Sequence, residues 1–154
     1  MAKSYRIEVS ESFNAPSQKV FPYLADFERF MDWNPFPQLD KTTQSTLSSE
    51  TFGVGTYLTW KGKQIGEGRM ETAAFEQDAT ISHAMTFGTG DKAEKAQSTM
   101  TIKPTSANSC EVSWVLTGTR KTMANLIMQL IGLDKKMAKH FSDGLKDLKA
   151  IVEN

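Results

Sequence analysis

Near residue 133 the hydrophobic period of this chain changes from two to almost four, and that switch limits what it can fold into. Leu133, Met137, Phe141, Leu145, Leu148 and Val152 step by four, four, four, three and four. That spacing is one stripe of a helix ~20 residues and ~30 Å long. Lys135, Lys136, Lys139, Asp143, Lys146 and Lys149 occupy its other faces, as expected of a solvated surface. A helix with a single apolar stripe needs one apolar surface to lie on.

The preceding sequence supplies that surface as strands. Tyr5, Ile7, Val9 and Phe13 alternate with Arg6, Glu8, Ser10 and Ser12, the period of a half-buried strand. Asn14-Ala15-Pro16-Ser17 breaks it, since Pro16 disfavours the helical basin at Ala15 and Ser17 can cap a helix. Phe21, Leu24, Phe27, Phe30 and Met31 follow at helical spacing, with Asp26 as a second cap, so two short helices are expected. Trp33-Asn34-Pro35-Phe36-Pro37 ends them, because its prolines cannot continue a helix. Further strands are expected at Thr56 to Lys61, Gly66 to Phe75, Thr80 to Phe87, Ala96 to Lys103 and around Val112 to Thr117. Turn residues separate them, with Pro104 to Ser109 read as a loop. Short strands joined by tight turns make an antiparallel meander. About seven strands twist and curl, leaving a cleft between a concave face and the covering helix.

Length and charge narrow the function. At 154 residues one domain over 1–154 is expected. Lys plus Arg and Asp plus Glu both number 18, so bulk attraction to nucleic acid or anionic membrane is not expected. Cys110 is the single cysteine, which suits a reducing compartment. The apolar run Leu126 to Leu133 contains Gln129 and Gly132 and is short of the ~20 residues of a membrane span. No signal core opens the chain, and a soluble, cytoplasmic protein is expected.

Catalytic and metal signatures are sparse. His83, Cys110 and His140 fall on different elements without paired-ligand spacing, so no metal and no cofactor is expected. There is no Gly-x-Ser-x-Gly elbow, and the pairs Gly53/Gly55, Gly66/Gly68 and Gly88/Gly90 read as turns rather than phosphate loops. Arg69 and Glu71 alternate with Met70 and read as an exposed cross-strand pair. His83 shares a face with Ile81, Met85 and Phe87. It is either a core histidine satisfied by a neighbouring hydroxyl or carbonyl, or a polar anchor or general acid/base at a cavity wall.

Several segments together resemble the START-like superfamily (SRPBCC, including polyketide cyclase/dehydrase and birch-pollen-allergen-like proteins). They are Ala15-Pro16-Ser17-Gln18-Lys19-Val20-Phe21, Trp33-Asn34-Pro35-Phe36, Gly53-Val54-Gly55-Thr56, Trp60-Lys61-Gly62, Gly66-Glu67-Gly68-Arg69-Met70 and the stretch Phe141 to Lys149. The resemblance spans nearly the whole chain and implies an α+β helix-grip fold. In that fold a curved antiparallel sheet of about seven strands wraps around a long C-terminal helix, with two short helices after strand 1. It further implies a ligand that is a small hydrophobic molecule, such as a lipid or a polyketide-like aromatic.

The expected cavity walls are Phe30, Trp33, Phe36, Trp60, Met70, His83, Met85, Met100, Trp114, Met137 and Phe141. Methionines make such a wall deformable, and indole N–H groups can orient a ligand. A carrier or sensor is the first expectation. A cyclase, aromatase or hydrolase using His83 as acid/base is the second, and a chaperone-activator-like interaction module with a large exposed apolar patch is the third. A homodimer is compatible with the sequence.

Overall fold

In β1 (Ala2–Phe13) the inward residues Ile7 and Phe13 are buried and Val9 packs half-buried between them, while Glu8, Ser10 and Ser12 face solvent, as the period-two pattern dictates. The structure, a computed structural model, describes residues 2–121 and 133–154; the apolar run 126–132 lies outside them. After β1 come α1 (Ser17–Ala25), α2 (Phe27–Phe30) and α3 (Phe36–Leu39). Then follow β2 (Gln44–Leu47), β3 (Tyr57–Gly62), β4 (Gly66–Glu76), β5 (Thr80–Phe87), β6 (Glu94–Ser106) and β7 (Ser109–Lys121). A 3-10 turn at Gly90–Lys92 precedes β6, and α4 is Leu133–Val152.

The seven strands form one antiparallel sheet in the order β1-β7-β6-β5-β4-β3-β2. Strands β2 to β7 are a meander, and β1 closes onto the free edge of β7. Register shifts lie between Thr72 and Ala74 in β4 and between Pro104 and Ser106 in β6; such irregularities bend a strand and deepen its twist. Phe141, Leu145, Leu148 and Val152 of α4 are buried and Met137 is half-buried. With the expected curled sheet and the two short helices, this is the α+β helix-grip architecture.

Local chemistry explains where the elements depart from expectation. Pro16, not Ser17, is the N-cap of α1, and the Ser17 hydroxyl is buried without a partner among the described residues. Asp26 does cap α2, its carboxylate accepting from the Glu28 amide at 3.0 Å. The prolines that end the first pair of helices also start a third: Pro35 is the N-cap of α3 and Pro37 sits in its first turn, where a missing N–H costs nothing. The expected loop from Pro104 to Ser109 is mostly strand, with Pro104 opposite Cys110 and Ser106 opposite Ser109. Pro104 lies at the register shift, where a ladder donor is not required.

The lysine faces of α4 are not all free. Lys149 donates to the Ser12 carbonyl and pairs with Glu153 at 3.0 Å, while Glu153 accepts from the Asn14 amide at 3.1 Å. These contacts tie the end of α4 to the end of β1. Arg69 and Glu71 are a 2.6 Å pair along β4 rather than across strands, and the Arg69 guanidinium lies 4.0 Å from the centre of the Tyr57 ring.

Candidate functional site

Ring contacts join the helices to the sheet in one chain of side chains. Phe30 of α2 meets Trp33 edge-on at 4.9 Å between centroids, and both meet Trp114 of β7, at 6.2 and 5.6 Å. Trp114 stacks on Phe141 of α4, which meets Phe36 of α3 at 5.9 Å. Phe36 in turn stacks on Trp60 of β3 at 4.9 Å. Met70, Met85 and Met100 are buried in the same apolar cluster, and Met137 packs against it. Nine of the eleven expected wall residues belong to this cluster, Met137 packs against it, and His83 abuts it through Phe27, 5.7 Å away. Over the described residues, rings occupy the place where an open cleft is expected between sheet and α4.

Within that interior runs a row of polar side chains. Thr72 of β4, His83 of β5 and Ser98 of β6 stand directly opposite one another across the strands, and all three are buried. Residues opposite in register share a face, so this polar row lies on the inward side with Met70, Met85 and Met100. The Thr56 hydroxyl lies 3.4 Å from that of Thr72. Trp114 Nε1 donates to Ser98 Oγ at 2.9 Å, and Ser98 Oγ lies 3.3 Å from His83 Nδ1. Among the described residues, the buried His83 Nε2 has no hydrogen-bond partner.

Burial holds the imidazole neutral. With the ring 1 % exposed and no carboxylate contributing, desolvation pushes the His83 pKa down to about 3. The same desolvation pushes the Cys110 thiol up. An unpartnered buried donor or acceptor costs about 1–3 kcal/mol, so His83 Nε2 is a local destabilisation that the fold carries. Trp33, by contrast, spends its indole N–H on the Tyr23 carbonyl at 2.8 Å. Trp33 and Trp114 therefore supply wall area, not free donors.

Sequence periodicity missed Phe27, Thr72 and Ser98 as neighbours of His83. The signal for Ser98 is present in the alternation Ala96, Ser98, Met100, Ile102, where one inward position is polar. Surface depressions lie elsewhere. One of about 510 Å³ sits on the outward face among Thr59, Lys61, Arg69 and Thr86, and one of about 390 Å³ lies beside Asp26, Glu28, Arg29 and Asp32. Neither includes His83. Among the described residues, no group of three or more His, Cys, Asp or Glu side chains converges as for a metal ion, and no helix is long and apolar enough to cross a membrane.

A seven-stranded antiparallel sheet covered by a long helix, with short helices after the first strand, defines a START/birch-pollen-allergen-like helix-grip protein. The chain belongs to the polyketide cyclase/dehydrase and lipid transport family, whose model matches residues 4–153. Solved structures share the architecture. Norcoclaurine synthase from Thalictrum flavum, in complex with dopamine and hydroxybenzaldehyde, superposes with a TM-score of 0.71 at 15% identity over 99% of this chain and 89% of that one. A protein of Chromobacterium violaceum superposes with a TM-score of 0.70 at 16% identity over 97% of both chains. At these identities the likeness concerns the fold. Comparison with curated proteins gives no significant sequence match.

Proposed function

We propose that this protein binds a small, mostly apolar molecule without covalent chemistry, as a carrier or sensor, in the interior between the sheet and α4. The observation that carries the reading is His83 Nε2, a buried polar atom without a partner among the described residues, inside a mostly apolar, aromatic interior. A bound molecule that displaces some of these rings and supplies the missing partner removes a cost the fold bears. The interior is also suited to admit one, because Met70, Met85, Met100 and Met137 are unbranched and adapt to varied shapes. The family's description includes lipid transport, and a solved protein of the same fold holds dopamine and hydroxybenzaldehyde. Aromatic molecules of that size are the proposed class, within a cytoplasmic, single-domain protein of residues 1–154.

A catalytic role for His83 needs a proton exchanged near neutral pH, and its depressed pKa weighs against that. An interaction module needs a large apolar surface. Among the described residues the exposed large hydrophobic side chains are three, Phe52, Val54 and Phe75.

Titration with a naphthyl fluorophore, read through tryptophan emission, tests the binding reading. Trp114 and Trp33 lie in the interior, so saturable quenching with energy transfer is the expected result. Absence of saturable binding up to several hundred micromolar, roughly a 4–5 kcal/mol affinity, overturns it.

A further inference from the structure

We infer that His83 is a fixed N–H donor, and that the molecule taken up inside carries a neutral carbonyl-type oxygen pointed at it. The inference rests on the binding reading above and deepens it by naming the polar group of the ligand. It follows from the direction in which protons must run through three buried side chains.

The indole N–H of Trp114 can only donate. Ser98 Oγ therefore accepts, at 2.9 Å. The hydroxyl keeps one proton of its own to place. Among the described residues the acceptor within its reach is His83 Nδ1, 3.3 Å away. A neutral imidazole has one donor nitrogen and one acceptor nitrogen, and which is which is set by the bond the other makes. With Nδ1 accepting from Ser98, the proton sits on Nε2. That nitrogen is the one without a partner among the described residues. The relay Trp114 to Ser98 to His83 thus ends in a single unpaired N–H presented to an apolar interior.

The end group selects among ligand chemistries. A ketone, ester or quinone oxygen accepts that proton and brings no charge. A hydrocarbon leaves the donor unpaired. A carboxylate carries a charge into the interior, where the side chains meeting or facing His83 are Phe27, Thr72 and Ser98, with no cation among them. Burying an unpaired charge costs far more than one hydrogen bond returns. An ammonium group offers only donors to a donor. The matched class is therefore an apolar or aromatic body with an uncharged oxygen acceptor.

The experiment uses the full chain labelled with nitrogen-15 and two probes of nearly equal shape, 1-indanone and indane. Long-range proton–nitrogen spectra of the imidazole report its tautomer before any probe is added. The expected result is a neutral Nε2–H form in the free protein, unchanged between about pH 5 and 8. Indanone is then expected to bind at least about fivefold tighter than indane and to move the Nε2 resonance, the size of effect of one added hydrogen bond. Ser98→Ala breaks the relay and is expected to mix the tautomers and erase the preference. Ser98→Thr keeps the hydroxyl and is expected to retain both. An Nδ1–H tautomer in the free wild-type protein overturns the donor assignment without reference to any variant. Equal affinity for the two probes overturns the ligand class and leaves the binding reading standing. Binding of neither probe at millimolar concentration overturns the binding reading and this inference with it.

Discussion

The indole of Trp114 and the ring of Phe141 lie stacked, with centroids 4.2 Å apart and planes 8° from parallel. Trp114 stands in the central part of β7, opposite Val9 of β1 and Met100 of β6. Phe141 is on α4 and also meets Phe36 of α3. One contact therefore fastens the covering helix to the sheet and to the third short helix at once. The same indole starts the hydrogen-bond chain that ends at His83, so packing and polarity of the interior share a residue.

Phe141→Ala is expected to cost about 3–5 kcal/mol, the range for a fully buried aromatic truncated in a core. Part of that loss is the stacked pair, which contributes about 0.5–1.5 kcal/mol beyond buried area. Urea unfolding checks it. A loss under about 1 kcal/mol is incompatible with a ring held between α4 and the sheet.

What the sequence made legible follows the strength of each period. The stripe from Leu133 to Val152 predicts a helix, and the described residues 133–152 are helical, because five full turns carry one unbroken stripe. Thr80 to Phe87 was equally plain from Ile81, His83 and Met85. β2 was not placed, since Gln44-Ser45-Thr46-Leu47 shows no apolar alternation and is strand only through pairing with β3. The polar relay was hidden for a different reason. His83, Ser98 and Trp114 are separated by 15 and 16 residues, and only the register of three strands brings them together. Periodicity gives a face, but not which residues on neighbouring strands stand side by side.

Gly68 belongs both to the Gly66/Gly68 pair that reads as a turn and to the strand expected from Gly66 to Phe75; it sits inside β4, opposite Trp60 of β3 and Phe87 of β5. A Cβ there would fall inside the Trp60 ring. Gly68→Ala is expected to push that ring off its stack with Phe36 and cost about 1–3 kcal/mol, as overpacking does. The accompanying sign is a red shift of tryptophan emission as Trp60 gains water. Unchanged stability and emission would show that the ring does not lie over the strand.

Asp40 organises a corner that no motif announces. Its buried carboxylate accepts from the Thr42 amide at 2.9 Å and hydroxyl at 2.6 Å, and from the amides of Gln64 and Ile65 at 2.6 and 3.1 Å. The Thr42 hydroxyl and these amides hold its pKa well below the usual carboxylate range. A depressed carboxylate stabilises the fold above its ordinary pKa near 3.8 and loses that contribution as pH falls through its folded value. Asp40→Asn is expected to lower the melting temperature at neutral pH and to speed amide exchange at Gln64 and Ile65. The gap between variant and wild type is expected to narrow below about pH 4. A gap that stays constant on acidification contradicts the role of the charge.

His83 gives the fold an acid sensitivity of opposite origin. Unfolded, the imidazole takes up a proton near pH 6.5; folded, it does so only near pH 3. Between those values the unfolded chain binds more protons than the native one, so stability declines as pH falls. One residue of this kind sets a slope approaching about 1.4 kcal/mol per pH unit in the middle of the window. The decline begins near pH 6.5, above the range in which the Asp40 contribution is lost, which separates the two effects. His83→Gln removes the titrating group while keeping a polar side chain, and is expected to flatten the profile between about pH 6.5 and 5. Urea midpoints of both proteins across that interval are the measurement. If wild type and variant decline in parallel there, the imidazole is not held neutral by burial. The Nε2–H would then be within reach of water, and the premise of a buried, unpaired donor would fail with it.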